Sequence, residues 1–386
     1  MTATYITRLA LTEFRSYHWL ELVPGASSVA LLGPNGAGKT NILEALSLLG
    51  PGRGLRRAEL ANLKKFGPTA PTDALSSGWG VVATLQQNNR QHELGTGRAE
   101  NSANTPASRS AQVDGSPAPL GALAEFLPVS WLTPEMDRLL GGDKGDKRRF
   151  FDRLVASFDP AHSGRLARYD KLARERLMLL ISGAGDDTWI STLETDMAES
   201  AIAIAAARLA LANAINDKAP QIAGQFPVVR ISFAEGPETW LARQAATDVE
   251  EKLREGFFAT RARDRKAETT EIGPARSDFT ALYVAKNMPA DLCSTGEQKA
   301  LLITLILAHA ALVGEVRETM PILLLDEVAS HLDSARRQAL FGTLHMLGCQ
   351  LWMTGTESEL FRGFPGVLTS YEIGPGTAKK KLAATA

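Results

Sequence analysis

The chain has 386 residues, 44% hydrophobic and 22% charged, with a formal net charge of −1. That balance excludes a uniformly basic coat, so any contact with DNA must come from local patches. Two cysteines, Cys293 and Cys349, are too few for a disulfide framework and fit a reducing cytoplasm.

The opening MTATYITRLALTEFRSY lacks the continuous apolar core of a signal peptide. Within it, YITRLALTEF alternates apolar and polar residues, which predicts a half-buried strand. SSVALLGPN then reads as a short apolar strand running into glycines. The loop that follows, Gly33-Pro34-Asn35-Gly36-Ala37-Gly38-Lys39-Thr40-Asn41, meets the spacing G-x-x-x-x-G-K-[ST]. Its small residues let backbone N–H groups wrap phosphates. Lys39 pairs with the β/γ charge and the Thr40 hydroxyl ligates Mg²⁺. The helix beginning KTNILEALSLL adds its positive dipole end. A strand before and a helix after this loop predict a nucleotide site.

Downstream, the polar stretch from Gln86 to Pro119 carries turn signals and few large apolar residues. It predicts a strand meander with an exposed, mobile tip, and His92 is expected to be a surface residue. From Lys147 to about Ala219 the amphipathic spacing is helical, with no heptad pattern sustained over many turns. FPVVRISFAEG then reads as a strand returning toward the nucleotide-binding part. Basic clusters at Arg53, Arg56 and Arg57, at Lys144 to Arg149 and at Arg261 to Lys266 are candidates for phosphate contact. Solvated helix faces are the simpler account of any one of them. No base-stacking aromatic stripe is evident, which favours contact with duplex or junction backbones.

CSTGEQKALLITLILAHA offers two readings. Ser294 and Glu297 have capping-box spacing ahead of an apolar helix. The same hydroxyl, with Gly296 and the free N–H groups, also makes an anion site. The apolar run Ala300 to Gly314 is too short to span a bilayer comfortably, so a buried core helix is expected and no membrane segment. In PILLLDEVASHLD, a buried parallel strand would deliver carboxylates at its C-terminal edge. Asp326 would hold Mg²⁺ through water, and Glu327 would polarise the attacking water as general base. Lys379 to Lys381 reads as a disordered tail.

The order GPNGAGKTN, STGEQ, LLLDE, SHLD resembles the ABC-type ATPase head, in which the signature helix completes the site of a second protomer. Within that class the chain is similar to the RecF family of bacterial DNA-gap repair proteins, related to SMC and Rad50 heads. LTEFRSY, GRGLRRAEL, TPEMDRLLGGDKGDKRRFFD, GPARSDF, STGEQKALLITLILAHA and WMTGTE carry the resemblance, in that order. It implies an α/β fold, an ABC-type P-loop ATPase head (1–145 and 270–386) with an inserted, mainly helical lobe (146–269). It implies ATP and Mg²⁺ as cofactors, with Arg15, Ser294, Gly296, Gln298, Asp333 and Thr354 joining the loop at the nucleotide. Lacking a histidine after QLWMTGTE, the chain would use Thr354 or Thr356 at the γ-phosphate. Cys293 stands where the family usually has Leu, Ala275 where it often has His, and Glu327 where Asp is common. The resemblance further implies an ATP-dependent homodimer on duplex or gapped DNA. RecR and RecO would be its partners in loading RecA, and slow hydrolysis its release step. A transporter subunit would carry Ser-Gly-Gly-Gln in the signature. An OLD-type nuclease would need a metal-binding domain after the ATPase, and a P-loop kinase would not need STGEQ.

Overall fold

The computed structural model describes residues 4–50, 52–65, 78–98, 108–183 and 186–381. It divides into two compact units, one of Met1–Met136, Ile222–Phe226 and Ile306–Ala386, the other of Asp137–Gln221 and Pro227–Leu305.

The chain enters the first unit through strands β1 (Thr4–Phe14), β2 (Tyr17–Leu22) and β3 (Ser28–Leu32). Helix α1 (Lys39–Ser47) follows, then β4 (Trp79–Gln87), β5 (Arg90–Arg98), β6 (Ser110–Val113) and β7 (Ser116–Ala118). Helix α2 (Leu120–Phe126) and β8 (Val129–Leu132) complete this pass. Helices α3 (Lys144–Phe158) and α4 (His162–Ser182) belong to the second unit, and the long α5 (Asp187–Ile222) follows them. After it come β9 (Val229–Phe233), α6 (Pro237–Leu241), α7 (Ala246–Ala267), β10 (Phe279–Tyr283) and β11 (Met288–Pro289). Helix α8 (Thr295–Arg317) then leads to β12 (Ile322–Leu325), α9 (Ser334–Leu347), β13 (Leu351–Gly355), β14 (Leu368–Gly374) and β15 (Thr377–Lys381).

The first unit holds two sheets of six strands. One is antiparallel in the order β2-β1-β4-β5-β6-β7; the other runs β15-β14-β3-β13-β12-β8 and is parallel except for β15. Burial explains the difference. In β3, β8, β12 and β13 every residue is buried, as a parallel strand covered on both faces requires. In β1 and β4, Leu9, Leu11, Val81 and Ala83 face the core while exposed Thr12 and half-exposed Val82 face away. One cluster joins those residues to Ile42, Leu43 and Leu46 of α1 and to Val29, Leu31, Leu324 and Trp352 of the parallel sheet. Gln350 ties the sheets by polar contact, its Oε1 accepting from Ile6 N at 2.9 Å and its Nε2 donating to Ile6 O at 3.1 Å.

The expected meander is present in β4–β7, its tip at 99–107 lying outside the described residues. Two expectations are corrected. The strand in FPVVRISF joins a three-stranded sheet of the second unit, β11-β10-β9, because Val229 to Phe233 pair with β10. Lys379 to Lys381 form part of β15, not a tail. Ala378 packs on the core, and the lysines pair in register with Ser370, Tyr371 and Glu372.

The second unit packs Tyr169, Met197, Ile204, Val249, Leu253 and Phe257 into an apolar cluster, and it also buries ion pairs. Arg176, fully buried, donates to Glu194 at 2.8 Å and Asp264 at 2.7 Å. Arg208 grips Asp152 with two nitrogens, at 2.7 and 2.8 Å, and Glu238 at 2.8 Å. By length and composition, α5 and α8 are apolar enough to cross a membrane. In the fold, 89% of the most apolar stretch of α8 is buried inside the protein.

Candidate nucleotide site

Strands β3, β13 and β12 lie side by side in parallel register, so their C-terminal ends come together. β3 delivers the glycine-rich loop, β13 delivers Thr354, and β12 delivers Asp326 and Glu327. Such an edge is where open α/β sheets place ligands.

Two glycines are demanded by crowding. A Cβ on Gly33 would stand 2.5 Å from the Ile373 carbonyl oxygen, and one on Gly38 would stand 2.7 Å from the Tyr17 hydroxyl. Gly38 also takes φ 106°, open to glycine but strained for other residues. Lys39 is buried, and its Nζ donates to Gly33 O at 2.6 Å and Pro34 O at 2.9 Å. Burial pulls its ammonium below the ordinary lysine value, while Glu327 and Asp326 pull it back up. Thr40 Oγ1 donates to Asp326 Oδ2 at 3.0 Å, bringing the loop and the carboxylate strand into direct contact. Thr354 Oγ1 donates to Asp326 Oδ1 at 2.7 Å and accepts from Glu327 N at 2.9 Å. Glu327, half-buried, takes φ 52° and ψ 18°. A threonine hydroxyl beside a carboxylate is a hard-oxygen donor set that suits Mg²⁺.

The β1–β2 turn holds this site from the other side, through residues that spacing alone does not mark. Tyr17 donates its hydroxyl to Gly38 O at 3.1 Å, and Ser16 Oγ accepts from Asn41 Nδ2 at 3.0 Å. Arg15 lies bidentate on buried Glu44, at 2.8 and 2.6 Å, and its third nitrogen reaches Asn62 O at 2.8 Å. Arg15 therefore braces α1 through its second turn. Arg56 joins the brace, donating to Asn41 Oδ1 at 2.8 Å.

The remaining candidates stand apart from this cluster in sequence. Asp333 is exposed and caps α9, accepting from Arg336 N at 2.8 Å. Ser294, in the second unit, completes a capping box. Its N–H and its hydroxyl both donate to Glu297 Oε2 at 2.8 Å. Lys286 and then Ser294 hold the Glu297 carboxyl down at about 2. Gly296 is exposed, and a Cβ there would meet no described atom within 4 Å. Gln298 is buried, its Nε2 donating to Cys293 O at 3.0 Å while its Oε1 has no partner among the described residues.

Much of the basic surface is tied internally. Lys147 pairs with Asp278 at 2.7 Å, Arg148 reaches Ser277 O, Arg261 lies on Glu194, and Arg149 pairs with Asp146. Arg53, Arg265 and Lys266 are exposed. His92 is half-buried, hydrogen-bonded to Asp114 and against Phe126.

Comparison with known proteins gives the family. The family described as "RecF/RecN/SMC N terminal domain" matches residues 5–371. A protein of Mesorhizobium japonicum named DNA replication and repair protein RecF is 45% identical over 380 residues, 97% of each chain. The chain belongs to the RecF family. A protein of the same name from Brucella suis biovar 1 is 42% identical, across 96% of this chain and 95% of its own. Among solved structures, the RecF fold recurs in one described as "recombination mediator protein RecF-ATPrS in RecFOR pathway". Its TM-score is 0.83 at 20% identity, covering 98% of this chain and 99% of that one. The Smc head domain from Pyrococcus furiosus, bound to the C-terminal domain of ScpA, is more distant. It has a TM-score of 0.54 at 15% identity, covering 98% and 96%. The fold is thus the α/β ABC-type ATPase head that RecF shares with SMC proteins.

Proposed function

We propose that this protein is an ATP-dependent DNA-binding protein of recombinational repair and replication restart, acting in the cytoplasm at the nucleoid. Family membership supports the repair role. The nucleotide role is carried by the hydrogen bond from Thr40 to Asp326, which joins the glycine-rich loop to the carboxylate strand across 286 residues. The loop N–H groups and Lys39 bind the phosphates of ATP. Thr40 and Asp326 would hold Mg²⁺, which neutralises phosphate charge when bound. Asn41, at the start of α1, and Arg15, through Glu44, keep the loop's helix in place.

Hydrolysis needs a base at the γ-phosphate, and Glu327 fills that role. As water oxygen bonds to phosphorus and the bridging bond to ADP breaks, its carboxylate accepts the proton that water releases. The signature residues Ser294, Gly296 and Gln298, with Asp333, act on the nucleotide of a second copy. ATP thereby joins two heads on duplex or gapped DNA, and slow hydrolysis releases them. Membership of the RecF family supports RecO and RecR as partners in assisting RecA loading.

Light scattering on size-exclusion eluate, with and without ATP and Mg²⁺, tests the reading. A dimer is expected only with both. Monomers under every condition would overturn the composite site.

A further inference from the structure

Strand β13 ends at Thr354 and Gly355, between β3 and β12. Thr354 is only 1% exposed, so its hydroxyl must find partners inside the protein. It finds two of different kinds, the Asp326 carboxylate as acceptor and the Glu327 backbone N–H as donor. A hydroxyl carries one proton. With that proton committed to Asp326, Thr354 has none left for a phosphate oxygen.

The second partner is informative because of the backbone it holds. Glu327 takes the left-handed conformation, which a residue with a Cβ keeps only where its surroundings enforce it. Two hydrogen bonds frame it. Its carbonyl accepts from Ser330 N at 3.1 Å, and its N–H donates to Thr354. The first is local to the turn that Glu327 begins. The second comes from a neighbouring strand and fixes that turn to the sheet.

We propose that Thr354 is a positioning residue for hydrolysis, its hydroxyl locking the Asp326 carboxylate and the left-handed Glu327 backbone into one unit. The lock sets where the Glu327 carboxylate stands to take a proton from water. Thr354 itself touches neither the nucleotide nor the reacting atoms. Exposed Thr356, two residues on, remains as the strand's candidate for phosphate contact. The inference rests on Glu327 as base, so the test keeps the two apart.

Thr354→Val keeps the shape and removes both hydrogen bonds; Thr354→Ser keeps both. ATP turnover at saturating ATP and equilibrium ATP affinity are measured on each, beside Glu327→Gln. Thr354→Val is expected to lower turnover by about tenfold or more, the size of a lost buried hydrogen bond felt in the transition state. Its ATP affinity should stay within about twofold of wild type, since uniform binding is untouched. Thr354→Ser should restore turnover. Undiminished turnover in Thr354→Val, or a serine variant as slow as the valine, would overturn the positioning role. So would a loss of affinity that accounts for the whole effect, because a direct phosphate contact behaves that way. If Thr354→Val does not fold, Thr354→Ala is measured in its place, with the same two outcomes. Full turnover in Glu327→Gln would instead remove the base, whatever Thr354 does.

Discussion

Thr40 and Asp326, 286 residues apart, share hydrogen bonds of 3.0 and 3.2 Å. The contact makes the phosphate loop and the carboxylate strand a single object. A change on either side is therefore expected to be felt at the nucleotide.

Lys39→Met tests the loop side. The buried ammonium offers charge-assisted hydrogen bonds worth about 1.5–3 kcal/mol each, so ATP affinity should fall by about tenfold to a hundredfold. Dimerisation and DNA binding should lose their ATP dependence together. Isothermal titration and light scattering check this; a variant that dimerises at wild-type ATP concentrations would contradict it.

Ser294 separates a helix cap from a site shared between two copies. Sequence alone recommends aspartate as an equivalent cap. The structure advises against that probe, because the Ser294 hydroxyl donates to Glu297 Oε2 and a carboxylate there would face another carboxylate. Ser294→Gly is the better variant, costing only about a few tenths of a kcal/mol as a cap. Its melting temperature and ATP affinity should stay near wild type while ATP-dependent dimerisation is lost. Dimerisation at wild-type strength would leave Ser294 as a cap alone.

Glu297 gives a pH signature to the same helix start. Its carboxyl is held at about 2, first by Lys286 and then by Ser294. An ordinary glutamate titrates near ~4.3. The folded state therefore favours the ionised form, and the stabilisation is fully present above the ordinary value. It is lost as pH falls through about 2. A carbon-13 NMR titration of Glu297 should show the depressed midpoint, and Lys286→Ala should raise it. An ordinary midpoint in the wild type would refute the arrangement.

Arg176→Met tests the core of the second unit. It would leave Glu194 and Asp264, both buried, without the guanidinium between them. Removing one partner of a buried pair costs about 3–5 kcal/mol. Chemical denaturation should show a loss of that size. A loss under about 1 kcal/mol would mean that Arg261, also on Glu194, carries the pairing unaided.

The meeting of the glycine-rich loop and the Asp326 strand was legible in the sequence because both are written in local spacing. A phosphate loop needs its glycines and Lys39 in fixed order, and a buried parallel strand needs the unbroken run that ends at Asp326. Partners chosen by tertiary structure were not legible. Nothing adjacent in sequence to Arg15 announces Glu44, and Thr354 reads as well for a phosphate as for a carboxylate. The strand at Lys379 to Lys381 was hidden because three lysines on an edge carry no apolar alternation. Only Ala378 marks the buried side.

The cradle is also scattered along the chain. Gly38 is lidded by Tyr17, Gly33 abuts Ile373, and Thr40 waits for Asp326. A ribosome therefore releases the complete glycine-rich loop long before it releases the strands that shape it. Until β12 to β14 have emerged, the loop lacks the Asp326 and Ile373 contacts that shape it. The full set of loop contacts thus waits for β12 to β14, although the loop itself lies near the start.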